Sequence, residues 1–147
     1  MLSRRQQTPN VQVSIKSRLA CLRLLVDSTG IKMTGEAEWK VKEHEAEYRR
    51  QWRQLHLGVD AQSEGICVLE VTDNRTNNAS VGPILLAQIL EERAISSVTG
   101  DGAYDTRNCH EAIAQCGAKA AIPMRRNASL GKTDKPGYEA RNETLRV

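Results

Sequence analysis

The 147 residues suffice for one domain with its own core and not for two of ordinary size. Aromatic side chains make up only 3% of the chain and phenylalanine is absent, so aliphatic residues must fill that core. The net charge of +3 is modest, no apolar stretch reaches membrane-span length, and Met1-Leu2-Ser3-Arg4-Arg5 leads into no signal-peptide apolar region, which excludes the membrane and secretory classes and predicts a cytoplasmic protein.

Residues 1–20 read as a basic arm, since Arg4, Arg5, Lys16, Arg18 and Arg23 all precede the first acidic residue, Asp27. Such an arm attracts a phosphate backbone through counterion release, and a solvated terminus is the competing reading. Residues 21–125 read as the core. Leu22 to Ile31 is its first strand, apolar enough at Leu24, Leu25 and Val26 to be buried on both faces as a central strand would be, so that Asp27 within it needs a reason. Glu36 to Arg50 carries both charge signs and reads as a solvated excursion.

Trp52 to Asp60 alternates, with Trp52, Gln54, His56, Gly58 and Asp60 on one face and Arg53, Leu55, Leu57 and Val59 on the other. After the polar turn at 61–65, Ile66 to Val71 forms a third strand, and the two make an antiparallel hairpin. Asn77-Asn78-Ala79-Ser80 offers capping side chains to a helix that runs to about Arg93. Its periodic positions are Val81, Ile84, Leu85, Gln88, Ile89 and Glu92, with Pro83 near the first turn. Ile95 to Thr99 is a short buried strand that ends at Gly100-Asp101-Gly102. Asp105 or Thr106 caps the next helix, whose apolar face is Cys109, Ala112, Ile113 and Cys116 and which Gly117 stops. Ala118 to Pro123 is the last strand, and 126–147 is a polar, basic C-terminal segment.

The four cysteines show no Cys-x-x-Cys pair and no histidines at zinc-finger spacing, so they are expected to be reduced and mostly buried. Cys109, His110 and Cys116 lie two helical turns apart at most, which is ordinary helix geometry. The element order predicts an α/β domain, a mixed sheet covered by helices. If right-handed crossovers set the Asp101 strand beside the Asp27 strand, both carboxylates emerge together at one edge of the sheet.

Paired aspartates raise each other's pKa unless a cation intervenes, so an intended pair implies Mg²⁺ or Mn²⁺ and the chemistry of in-line displacement at phosphorus. Two purely structural readings compete. Asp27 could bond to the Ser28-Thr29-Gly30 turn, and Asp101-Gly102 is a common turn dipeptide. Asp27-Ser28-Thr29-Gly30 differs by one residue from the Asp-Thr-Gly of aspartic proteases and has no second copy. His44, His56 and His110 sit in no recognisable nucleophile context.

Four ordered blocks complete the reading: Leu24-Leu25-Val26-Asp27-Ser28-Thr29-Gly30-Ile31-Lys32, Gly35-Glu36-Ala37-Glu38-Trp39-Lys40-Val41, Trp52-Arg53-Gln54-Leu55-His56-Leu57-Gly58-Val59-Asp60 and Gly100-Asp101-Gly102-Ala103-Tyr104-Asp105-Thr106. Together with Ala121-Ile122-Pro123 and Ala140-Arg141-Asn142-Glu143, they closely resemble DDE transposases of bacterial insertion sequences, family five. The resemblance implies an RNase H-like mixed sheet with flanking helices, incomplete at its C-terminal end. It implies an enzyme that cuts transposon ends and joins them to target DNA, with three acidic residues holding two Mg²⁺ ions, for which Mn²⁺ substitutes.

Asp27 matches the first acid and Asp101 the second, so both are expected to be catalytic metal ligands. Gly102, Ala103 and Tyr104 match the segment that shapes the second acid's turn, and Asp105 is expected as a helix cap rather than a ligand. The family's third acid is a glutamate on a later helix, and it has no counterpart before Val147. Glu139 and Glu143 stand in a context similar to the segment upstream of that helix. The family's DNA-binding region ahead of the first acid is reduced to a basic remnant, and Glu45-Ala46-Glu47 replaces the glycine and basic residues usual near His44.

The expectation is therefore a truncated transposase, inactive by itself. Its expected partners are transposon-end and target DNA, with a second copy or a full-length transposase as protein partner, in association with the nucleoid. The basic arm, Arg125 and Arg126 support an alternative, a non-catalytic DNA-binding fragment that inhibits full-length transposase.

Overall fold

The structure, a computed structural model, describes residues 21–32, 52–89, 93–126, 128–131, 138–139 and 141–142. The basic arm over 1–20, the charged excursion over 36–50 with His44, Glu92 at the expected helix end, and Glu143 lie outside the described residues.

In chain order the elements are β1 (Leu22–Lys32), β2 (Trp52–Asp60), β3 (Ile66–Asp73), α1 (Asn78–Ala87), β4 (Ile95–Thr99), a 3₁₀ turn (Gly102–Tyr104), α2 (Arg107–Gln115) and β5 (Lys119–Ala121). The strands form a mixed sheet of order β3-β2-β1-β4-β5. β2 is antiparallel to both β1 and β3, while β4 is parallel to β1 and to β5. A central β1, an antiparallel hairpin on one side and parallel strands reached by helical crossovers on the other make up the RNase H-like arrangement.

β1 is central, yet it is buried on one face only. Leu22, Leu24 and Val26 point into the core, while Arg23, Leu25 and Asp27 point away from it. The expectation of burial on both faces is thus corrected. Among the described residues, α1 and α2 both pack on the Leu24 side, so the sheet follows the alternation of a half-covered strand. Leu25, Ile31, Ile66 and Val71 remain exposed. In β2 the buried set is His56, Gly58 and Asp60, the more polar of the two faces. Gly58 is required there by close packing, because a Cβ on it would collide with Val68 Cγ2 and stand 3.1 Å from Leu24 Cδ1.

The buried polar groups of the hairpin find local partners, except His56 Nδ1, which has none among the described residues. His56 Nε2 lies 2.9 Å from Thr72 Oγ1, and burial holds the imidazole below its ordinary pKa against the raising effect of Glu70. Asp60 accepts from the Ser63 hydroxyl at 2.7 Å and from the Gln62 and Ser63 amides, which closes the 61–65 turn. The Ser63 hydrogen bond leads the lowering of its pKa.

α1 starts where expected, with the Asn77 side chain accepting from the Ala79 amide. It ends at Ala87 rather than near Arg93, and its inward residues are Ala79, Val81, Gly82, Leu85 and Leu86, leaving Ile84 exposed. Pro83 lies beyond the first turn, so the amide that would bond to the Ala79 carbonyl is missing. The Cys109 thiol of α2 fills that gap, 3.1 Å from Ala79 O. α2 is capped by the Thr106 hydroxyl, which accepts from the Cys109 amide, and Gly117 terminates it at φ 68°. Cys67 and Cys109 are buried, but Cys21 and Cys116 are exposed and all four thiols are free, so the expectation of mostly buried cysteines holds for half of them. The inward face of α2 carries His110 where Cys116 was expected.

Candidate active site

The parallel ladder between β1 and β4 pairs Leu24 with Val98 and Leu25 with Thr99. Asp27 and Asp101 each lie two residues past that last pair, at the C-terminal ends of adjoining strands. Both are exposed, and Asp27 lies on the face of β1 turned away from the core. The register therefore brings together the two acids that the sequence singles out.

Each carboxylate is held by one oxygen. Asp27 Oδ1 accepts from the Ser28 amide at 2.7 Å, and Asp101 Oδ1 accepts from the Ala103 amide at 2.9 Å. The second oxygen of each has no hydrogen-bond partner among the described residues. Two carboxylates, each anchored through one oxygen, are a hard donor set suited to Mg²⁺ or Mn²⁺, which takes one or two protein carboxylates and fills its other positions with water and phosphate oxygens. Among the described residues no third histidine, cysteine or acid joins them.

Below the pair lies Tyr104, 1% exposed. Burial, followed by the negative charges of Asp101 and Asp27, pushes its phenol up to about 12. The hydroxyl lies beside Ser28 without a well-formed hydrogen bond. Ser28 in turn is reached by Gln54 Nε2, at 3.4 Å, and Gln54 also donates to Asn78 Oδ1 at 2.8 Å. This chain of polar groups ties β1 and β2 to the start of α1. A Cβ at Gly100 would stand 2.9 Å from Val26 Cγ2 and 3.1 Å from the Tyr104 ring, so glycine lets the strand end descend onto the core just before Asp101.

Asp105 departs from its expected role. It does not cap α2, which Thr106 does, and it is buried at 4% exposure. A buried carboxylate needs compensating donors, and four converge on it. Arg141 donates through Nε at 2.8 Å and through its terminal amino group at 3.2 Å, the Arg125 amide at 3.1 Å, and His110 Nε2 at 3.1 Å. Burial alone would raise its pKa, but the hydrogen bonds from Arg141 and Arg125 outweigh it and bring the group to about 2. Burial also lowers the pKa of His110 against the pull of Asp105, so at neutral pH a neutral imidazole donates to the carboxylate. The Arg125 side chain braces the 3₁₀ turn, donating to Gly102 O at 2.9 Å and Ala103 O at 2.7 Å. The roles of Tyr104, Arg125 and Arg141 were not visible in residue spacing. The family resemblance had placed Tyr104 in the segment that shapes the Asp101 turn, and for Arg141 the signal in the sequence was the Ala140-Arg141-Asn142-Glu143 block.

The sheet order and strand directions define the class as an RNase H-like mixed sheet flanked by helices. A family model described as Transposase DDE domain matches residues 22–147, and a second of the same description matches residues 1–36. The chain belongs to the DDE transposase domain family. Among solved structures it is similar to a chain in the cryo-EM structure of the simian T-cell lymphotropic virus intasome in complex with PP2A regulatory subunit B56 gamma. The two are 16% identical with a TM-score of 0.48, over 95% of this chain and 45% of that one. The present chain thus spans less than half the length of that chain.

Proposed function

We propose that this chain is the catalytic-core portion of an insertion-sequence transposase of family five, and that Asp27 and Asp101 are its first two metal-binding acids. The observation that carries this reading is that Asp27 and Asp101 each lie two residues past the Leu25–Thr99 pair of adjoining parallel strands, each anchored through one carboxylate oxygen. Membership of the DDE family supports it. The substrates are transposon-end and target DNA. When bound, Mg²⁺ or Mn²⁺ supplies Lewis-acid stabilisation of charge developing at the scissile phosphate.

The chain's own contribution is positional. The Ser28 and Ala103 amides fix one oxygen of each acid, Tyr104 fills the floor, and Arg125 holds the turn that presents Asp101. A family-type third acid would complete the ligand set.

Metal uptake is accordingly the direct test. Mn²⁺ titrated into the protein and followed by electron paramagnetic resonance should bind to wild type, and Asp27→Asn and Asp101→Asn should each lose that binding with an unchanged circular dichroism spectrum. Equal Mn²⁺ uptake by both folded variants would sink the assignment.

A further inference from the structure

The Asp101 turn is closed by its own short bonds. The Ala103 amide reaches Asp101 Oδ1, the Tyr104 amide reaches Asp101 O at 3.1 Å, and the Asp105 amide reaches Gly102 O at 3.2 Å. Such a turn has few bonds relative to the strands beside it, and an exposed short turn opens more easily than a ladder. What it has in addition is external bracing, and all of that bracing converges on one carboxylate. Asp105 holds the Arg125 amide, Arg125 holds the Gly102 and Ala103 carbonyls, and Arg141 holds both oxygens of Asp105.

Arg141 is itself fixed. It donates to Ser129 O at 3.1 Å, and its neighbour Asn142 exchanges two hydrogen bonds with the Gly131 backbone, at 3.1 and 3.0 Å. A planar, two-point guanidinium contact to a carboxylate fixes orientation as well as charge, which a lysine at the same place would not do. The Arg141 side chain is 13% exposed against 1% for Asp105, so the clamp is closed on the inside and reachable from outside.

We propose that Asp105 and Arg141 are positioning residues, a clamp that draws a late segment of the chain onto the Asp101 turn and holds the Asp101 carboxylate in place past the end of β4. They act on the Asp101 carboxylate through Arg125 and the turn. The clamp rests on the reading of Asp27 and Asp101 as a site for its consequence, but not for its existence. Loss of partners that orient a ligand costs about 10- to 100-fold in metal affinity.

The test compares wild type with Arg141→Ala and with Asp105→Asn, the second retaining an uncharged acceptor should the first fail to fold. Backbone amide exchange is followed by NMR at Ala103, Tyr104 and Asp105 and, as a reference, at Leu57 and Val68 in the sheet, alongside Mn²⁺ affinity. The expected result is exchange at least about tenfold faster in the turn with the sheet unchanged. Mn²⁺ binding should be about tenfold weaker, and methylguanidinium added to Arg141→Ala should restore it while Arg141→Lys should not. Unchanged exchange in a folded variant overturns the clamp, as does faster exchange spread equally over the sheet. If wild type takes up no Mn²⁺, the metal reading fails, while the exchange comparison still decides the clamp.

Discussion

Pro83 shows how one residue's backbone chemistry is answered by another's side chain. Its missing amide strands the Ala79 carbonyl in a buried turn of α1, and the Cys109 thiol supplies the donor. Burial raises the pKa of that thiol, so it stays a protonated donor. Cys109→Ala is expected to cost about 2 kcal/mol, from the unsatisfied carbonyl and the small cavity together. Pro83→Ala made in the same chain returns an amide to Ala79 O and should recover part of the loss. Urea denaturation of the two single variants and the double variant checks this, and strictly additive effects would show that the two residues do not share the carbonyl. At this scale the sequence was legible where chemistry is exposed. Asp27 and Asp101 stand out because a carboxylate at the end of an apolar run needs an explanation. Asp105 was read as a cap because its burial and its partner Arg141, distant in the chain, leave no local trace.

Among the elements, the strand boundaries of β2 and β4 followed from alternation and β-branched content, and the hairpin from its polar turn. β1 was harder. Three consecutive apolar residues suggest a strand covered on both sides, yet Leu25 is 41% exposed beside Leu24 at 0%. Periodicity reports how apolar a face is, and only the placement of helices decides which face they cover. The same limit explains α1, where Ile84 was read as inward and Gly82 carries the close contact. Gly82 and Gly100 both press against Tyr104, so small residues, invisible to a hydrophobic pattern, set how near the helix and the strand end approach the site. Gly100→Ala should therefore destabilise the protein by about 1 to 3 kcal/mol and weaken Mn²⁺ uptake with it, since Val26 and the Tyr104 ring must both move. Gly102→Ala meets only Pro123 O, at 3.4 Å, and should stay within about 0.5 kcal/mol of wild type. Thermal denaturation of the two variants separates them; equal losses would mean that the approach at Gly100 is not what the core depends on.

At the scale of the whole molecule, the buried titratable groups set a direction for acid lability. His56 and His110 have folded pKa values below the ordinary 6.5, so the unfolded chain takes up their protons first and stability falls as the pH drops below that value. Asp105 adds a second step. Its folded value of about 2 lies below the ordinary 3.8, so its contribution, about 2 kcal/mol, is intact above pH 4 and disappears between about 4 and 2. Urea midpoints measured from pH 8 to pH 3 should fall in both windows, and Asp105→Asn should flatten the lower one. The fold class was legible from element order, and the family from ordered blocks of residues, whereas the docking of residues 128–131 and 141–142 onto the Asp101 turn was not, because it depends on hydrogen bonds between segments with no shared pattern. That docking also gives the site a timetable. A chain emerging from the ribosome can pair β1 with β2 and β3 before β4 has left the exit tunnel, and the residue that locks the second acid's turn emerges later still. Ribosome-arrested chains that stop short of β4 should hold no Mn²⁺. Synthesis of the polypeptide thus works as a safety catch, withholding the braced Asp101 turn until a residue as late as Arg141 has been added.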